Sequence, residues 1–177
     1  MTVPTHFTAL QRGLHWIMAA MILSMLFVGI GMVSSVQPKY PGLVKFHETM
    51  GLCVLLLAAI RLVVRARRGA PPLPASLPLY AKIAAISSHY ILYGLMFCMP
   101  LIGWAMTSSA GMPIRLGPLY IPSVLATNEP LHTWFLRAHV WLGLGFFALI
   151  MLHLSAALFH GFVRRDGVLS SMTSGKD

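Results

Sequence analysis

The segment AHVWLGLGFFALIMLHL, residues 138–154, places two histidines, His139 and His153, in an otherwise apolar stretch. In an α-helix, fourteen residues rise about 21 Å and complete nearly four turns, so both imidazoles project from one face at two depths. The surrounding apolar run is long enough to cross the hydrocarbon core of a membrane. Because imidazoles are costly there without partners, the pattern indicates two functional positions on one transmembrane helix.

The composition of the whole chain is that of a membrane protein. Of its 177 residues, 57% are hydrophobic and 10% are charged, whereas soluble domains carry about 25% charged residues. The net charge is +9, but the basic residues flank apolar runs and form no patch of their own, so nucleic-acid binding is not expected. The two cysteines belong to no C-x-x-C motif, which excludes covalent attachment of a c-type haem.

Four apolar stretches are each long enough to span a membrane as a helix. We predict an all-α fold, a four-helix transmembrane bundle that forms a single integral-membrane domain over residues 1–177, with spans near 14–33, 43–64, 83–106 and 133–163. Proline and glycine mark the connections. The third connection, residues 107–132, is long and partly apolar, and we expect it to fold back over its end of the bundle.

The basic residues predict the orientation. The N-terminus, the second connection and the C-terminus hold most of them: Arg12, Arg61, Arg65, Arg67, Arg68, Lys82, Arg164, Arg165 and Lys176. The first and third connections hold the others: Lys39, Lys45, Arg115 and Arg137. By the positive-inside rule both termini are predicted to be cytoplasmic. The first apolar run is too long for an ordinary signal peptide, so we expect it to be retained.

This orientation matches the histidines by depth. His15 and His153 lie toward the cytoplasmic side, whereas His47 and His139 lie near the outer face. Neutral imidazole is the usual axial ligand of b-type haem, and two imidazoles saturate the iron. Each matched pair is therefore a candidate haem site suited to electron transfer, although a single intramembrane histidine can also serve only as a hydrogen-bonding residue between helices.

Spacing alone leaves the cytoplasmic-side ligand open. His160 follows His153 by seven residues on the same helical face, and His89 lies at a similar depth on the third helix. Either residue could replace His153 at that site. His6 and His132 lie outside the spans or at their edges and are interpreted as solvated or interfacial.

Residues next to the outer-face ligands are candidates for contact with the cofactor. Gly51 follows His47 by four residues and Gly143 follows His139 by four, so each glycine lies one turn away and leaves space, or simply allows close helix packing. The basic residues in this region are Lys45 and Arg137, each two positions before a ligand candidate. They could bind haem propionates through charge-assisted hydrogen bonds, or anchor the helices at the interface.

Several of these segments resemble the bacterial cytochrome b561 family. They are RGLHW at residues 12–16, KFHETMG at 45–51, MPLIG at 99–103, and His139 with His153 in the fourth span. The resemblance implies a four-helix protein of the bacterial inner membrane with two non-covalent haems b, liganded by His15, His47, His139 and His153. It thereby favours His153 over His160, and His89 also matches a family histidine. The family includes a superoxide oxidase activity, in which superoxide reduces haem and ubiquinone is reduced.

The expected function is a di-haem membrane cytochrome b, an oxidoreductase that links a small one-electron donor at the outer face, superoxide by resemblance, to the quinone pool. Its expected partners are membrane lipid and quinone. One alternative is a haem-bearing anchor subunit for a partner dehydrogenase or hydrogenase. A second is a histidine-lined metal transporter without haem, for which Glu48 is the one candidate acidic residue within the spans.

Overall fold

The computed structural model describes residues 6–34 and 40–174, and four long helices dominate it. They are α1 (Ala9–Ser34), α2 (Tyr40–Arg68), α3 (Leu79–Ser109) and α4 (Glu129–Phe159). Each is long and apolar enough to cross a membrane, so the predicted four-helix transmembrane bundle is confirmed. The first three helices are longer than the predicted spans because hydropathy detects the part in hydrocarbon, whereas the hydrogen-bonded backbone continues into the polar interface. The fourth begins and ends four residues earlier than its predicted span.

The second helix begins earlier than predicted, so the first connection is shorter than expected. Pro41 and Gly42, assigned to the first connection, lie in the first turn of α2, where proline is tolerated because its missing N–H needs no partner. Lys39 and Lys176 lie outside the described residues. After α2, Gly69 adopts a positive φ of 73°, and its carbonyl accepts a 2.8 Å hydrogen bond from Gln11 Nε2, which ties α1 to the end of α2.

The third connection folds back over the bundle, as predicted. It contains a short antiparallel hairpin, β1 (Arg115–Leu116) and β2 (Leu119–Tyr120). Trp104 on α3 donates a 3.0 Å hydrogen bond from Nε1 to the carbonyl of Pro122, and Ile114 is buried. We call this part of the molecule the hairpin end.

The opposite end carries both termini of the described chain, and we call it the terminal end. Here α4 continues into a π-helical turn, His160–Arg164, followed by a short helix, α5 (Val168–Thr173). Trp16 Nε1 on α1 donates a 3.0 Å hydrogen bond to the Met172 carbonyl on α5. The tail is therefore held against the first helix.

A small apolar core lies at mid-depth in the bundle. Each helix contributes a buried residue to it: Met18, Val54, Met96 and Phe146. Large apolar side chains elsewhere face outward, including Phe27, Trp141 and Leu152. In a helix bundle that crosses a membrane, such a surface contacts lipid rather than water.

Candidate functional site

At the hairpin end, the structure brings together the predicted outer-face pair. His47 on α2 and His139 on α4 have ring centroids 6.0 Å apart, with ring planes inclined at 69°. Successive helices of the bundle alternate in direction, so α2 and α4 run parallel to each other. His47 and His139 both lie near the start of their helices and are therefore at the same depth. The pairing expected from depth is the pairing observed.

Two glycines let neighbouring helices close over these imidazoles. A Cβ atom added to Gly103 on α3 would lie 3.4 Å from Cε1 of His139, and one added to Gly29 on α1 would lie 3.8 Å from Cε1 of His47. Gly29 was not among the predicted site residues, and Gly103 entered only as part of the MPLIG segment, residues 99–103. Their spacing was the available signal, since each follows a histidine, His15 or His89, by fourteen residues.

At the terminal end, His153 on α4 contacts two other histidines. Its ring centroid is 6.3 Å from that of His15 on α1 and 5.6 Å from that of His89 on α3. The structure thus unites the predicted inner pair and adds His89, which depth alone had left open. His160 is held elsewhere, because its Nδ1 lies 2.6 Å from Oδ2 of Asp166 in the turn that follows α4.

The same spacing relates the two clusters on all four helices. Fourteen residues, or about 21 Å of helix, separate the residue at one level from the residue at the other. At the hairpin end these residues are Gly29, His47, Gly103 and His139, which we call the hairpin level. At the terminal end they are His15, Arg61, His89 and His153, which we call the terminal level.

Arg61 is the member of the terminal level that sequence reasoning did not place at the site. It lies within a membrane-spanning helix and within electrostatic range of His15, His89 and His153. From the sequence alone, Arg61 was assigned to the basic residues that set orientation. Its position fourteen residues after His47 was the overlooked signal.

The paired imidazoles fit the geometry of a metal held between two rings. Two imidazoles on opposite sides of one metal ion, with bonds of about 2 Å, have ring centres about 6 Å apart, close to both observed pairs. His15 and His47 each keep a buried Nδ1 without a hydrogen-bond partner among the described residues. Nitrogen donors in pairs at two depths suit bis-histidyl haem better than a bare cation. Within residues 6–34 and 40–174, no group of three or more candidate ligands is arranged to hold a metal ion.

The remaining predicted residues lie around the hairpin level. Lys45 and Arg137 are exposed, near the interface where they were expected. A Cβ atom added to Gly51 would lie 3.7 Å from Cε of Met25, and one added to Gly143 would lie 3.5 Å from Cε of Met99. Each glycine therefore faces the end of a flexible methionine, a side chain that repacks readily.

Comparison with known proteins agrees with this geometry. The family model for prokaryotic cytochrome b561 matches residues 6–175, almost the whole chain. The chain belongs to the prokaryotic cytochrome b561 family. It is accordingly a bacterial membrane protein that binds haem b and transfers electrons.

Individual relatives are distant but cover nearly full length. Cytochrome b561 homolog 2 of Escherichia coli (strain K12) is 27% identical, and the match covers 96% of this chain and 92% of the relative. Probable superoxide oxidase CybB of Yersinia pestis is 26% identical, with 96% and 97% covered. Cytochrome b561 homolog 1 of Escherichia coli (strain K12) is 27% identical, with 94% and 96% covered.

Proposed function

We propose that residues 1–177 form one electron-transfer unit with two haems b, one at each level. His47 and His139 would hold the haem at the hairpin level, and His15 and His153 would hold the haem at the terminal level. The observation that carries the proposal is the presence of two imidazole pairs, 6.0 and 6.3 Å apart between ring centroids, at two depths of one bundle. His153 is favoured over His160 because the His153 ring packs against that of His15, whereas His160 contacts Asp166 in the turn that follows α4.

Bis-histidyl haem supplies reversible one-electron chemistry and offers no open position to oxygen. The chain's own residues provide the surroundings. Gly103 and Gly29 let α3 and α1 approach the imidazoles of the hairpin level. Met18 and Phe146 fill the space between the levels with apolar side chains, which excludes water from it. Gly51 and Gly143, each opposite a flexible methionine, give room to a planar macrocycle.

We further propose that the hairpin end faces outward from the bacterial inner membrane, with both termini cytoplasmic. Arg115, Lys45 and Arg137 then form a basic outer rim, in which Arg115 lies 4.5 Å above the Tyr120 ring centre. Lys45 and Arg137 are assigned to the propionates of the outer haem, as charge-assisted hydrogen-bond donors. A rim of this charge also attracts a small anion to the site.

The donor we propose is superoxide, and the acceptor is ubiquinone. One relative is named a probable superoxide oxidase, and an anionic donor suits the basic rim. The reaction balances as two superoxide anions plus one quinone and two protons, giving two molecules of oxygen and one quinol. With two imidazoles holding each iron, the site would leave no open position for superoxide, so the anion would give up its electron at the edge of the site, where the basic rim attracts it.

The decisive experiment is an optical spectrum of the purified protein, oxidised and reduced, with haem quantified per chain. About two haems with b-type reduced bands support the cofactor assignment. Rapid mixing with superoxide, with and without a water-soluble ubiquinone, then tests the reaction. Haem reduction by superoxide followed by quinone-dependent reoxidation supports the oxidoreductase. Haem that superoxide does not reduce, in protein that co-purifies with a dehydrogenase, supports the anchor-subunit alternative, and protein without haem contradicts the whole proposal.

A further inference from the structure

An arginine within the bundle needs an anion that the described protein does not provide. Arg61 lies in the membrane-spanning part of α2, where a charged side chain is costly unless it is paired. Its guanidinium carbon lies 5.6 Å from the ring centre of Tyr93 on α3, and that of Arg65 lies 5.9 Å from the same ring. Two cations thus converge on one aromatic side chain.

The acidic residues of the chain do not balance these two charges in the described structure. Of the four, Glu48 lies about two turns into α2 and Glu129 lies in the first turn of α4, both toward the hairpin end. Asp166 already contacts His160 and Arg164, and Asp177 lies outside the described residues. Among residues 6–34 and 40–174, neither Arg61 nor Arg65 forms an ion pair with a carboxylate.

A third polar group lies at this place. The Tyr93 hydroxyl is buried without a hydrogen bond of good geometry, and it interacts electrostatically with the Arg61 guanidinium. Arg61, Arg65 and Tyr93 line a small cleft together with Gln11. Guanidinium and phenol groups are hydrogen-bond donors, and guanidinium in particular binds carboxylates in a planar, two-pronged geometry. The cluster therefore has the chemistry of a carboxylate-binding site.

The position of the cluster identifies the carboxylate. Arg61 is the α2 residue of the terminal level, within electrostatic range of His15, His89 and His153. A haem b bound between His15 and His153 brings two propionate carboxylates to this part of the bundle. We infer that Arg61, supported by Arg65 and Tyr93, binds the propionates of the terminal-level haem. This inference rests on the proposed function, because it requires a haem at that level.

The first test is a redox titration of the purified holoprotein and four variants. Arg61→Gln removes the cation, Arg61→Lys keeps the charge without the planar geometry, and Arg67→Gln removes an equal charge from an exposed position on the same helix. The His47→Ala variant identifies which titrating component belongs to the terminal level. We expect Arg61→Gln to lower the midpoint potential of that haem, because an unpaired propionate stabilises ferric iron. Arg61→Lys should restore part of the shift, and Arg67→Gln should cause little.

A second test separates propionate binding from a through-space effect of the charge on iron. The apoprotein and its Arg61→Gln variant are loaded with haem b dimethyl ester, in which both carboxylates are methylated. If Arg61 binds the propionates, the substitution lowers the potential much less with the ester than with haem b. An equal shift with both cofactors contradicts the inference and assigns Arg61 to another anion, such as a lipid phosphate, or to the iron directly.

The outcomes distinguish this inference from the proposed function. If the wild-type protein contains no haem, the proposed function fails and the inference fails with it. If the wild type contains both haems and Arg61→Gln changes neither haem content nor potential, only the inference fails. The haem of the hairpin level serves as the internal control for folding, since its spectrum should persist in every Arg61 variant.

Discussion

The hairpin level and the terminal level are built on one plan and differ in residue type on three of the four helices. On α2 and α4 the hairpin level has His47 and His139, and on α1 and α3 it has Gly29 and Gly103. Fourteen residues away, α1 and α3 contribute His15 and His89 in place of glycine, and α2 contributes Arg61 in place of histidine. The hairpin level is thus a histidine pair closed in by glycines, whereas the terminal level is a histidine cluster beside a cation.

Because of this difference, we expect the two proposed haem sites to have different midpoint potentials. A cation inside the bundle acts through a low dielectric and is only weakly screened, whereas Lys45 and Arg137 are exposed to solvent. A positive charge near a haem favours its reduced form, so Arg61 should raise the potential of the terminal level more than the rim raises that of the hairpin level. Electrons that enter at the hairpin end would then move downhill toward the terminal end.

The largest effect should come from removing one imidazole of a pair. His47→Ala should lower the haem content from about two to about one per chain, because the hairpin-level haem loses an axial ligand. His15→Ala should lower it equally, with loss of the other haem. Haem per chain and low-temperature spectra of both variants measure this. If either substitution removes both haems or neither, the two levels are not independent haem sites.

The next largest effect concerns which histidine of the terminal level binds the haem iron. His153 contacts both His15 and His89, and we assign the axial bond to His153. We therefore expect His153→Ala to lose the terminal-level haem, while His89→Ala keeps it with an altered potential, since a polar neighbour is removed. Haem content combined with electron paramagnetic resonance of the ferric protein separates the two. Loss of the haem in His89→Ala, and its retention in His153→Ala, would reverse the assignment.

The sequence was sufficient to predict the four helices and the two histidine pairs, because both follow from simple periodicities. Apolar runs of membrane length predict the spans, and a fourteen-residue interval keeps His139 and His153 on one face at two depths. The sequence was not sufficient to choose between His153 and His160, because both have the same helical face. That choice depends on which ring packs against His15 of another helix, and in the structure that ring is His153.

Contacts between different helices were harder to predict. Gly103 matters because His139 of another helix packs against it, and one helix's pattern contains no information on its neighbours. Arg61 was assigned to membrane orientation, since a basic residue near the end of a span is usually an interfacial anchor. Only the packing of α2 against α3 shows that it lies beside Tyr93 and the terminal-level histidines.

Substitution of Gly103, which packs against His139 at the hairpin level, should have an intermediate effect on haem binding. A valine at Gly103 would push against the imidazole of His139, which lies 3.4 Å from the Cβ position, and overpacking of this kind costs about 1–3 kcal/mol. We expect Gly103→Val to reduce occupancy of the hairpin-level haem and to leave the terminal-level haem bound. Gly94→Val on the same helix is the matched control, because a Cβ atom added at Gly94 meets no atom within 4 Å. Equal haem loss in both variants would point to a general effect on α3 instead.

The smallest predicted effect concerns the basic rim and depends on charge at long range. Lys45→Glu and Arg137→Glu should each lower the second-order rate of haem reduction by superoxide, on the order of threefold at low salt, because they weaken the attraction of an anion to the hairpin end. Added salt should lower the wild-type rate and reduce the difference in rate between the wild type and the two variants, since ions screen exposed charges. Arg67→Glu, with an equal charge change at an exposed position of the terminal end, should leave the rate nearly unchanged. If Arg67→Glu slows the reaction as much as the rim variants do, superoxide does not enter at the hairpin end, and the two levels exchange their roles in the direction of electron flow.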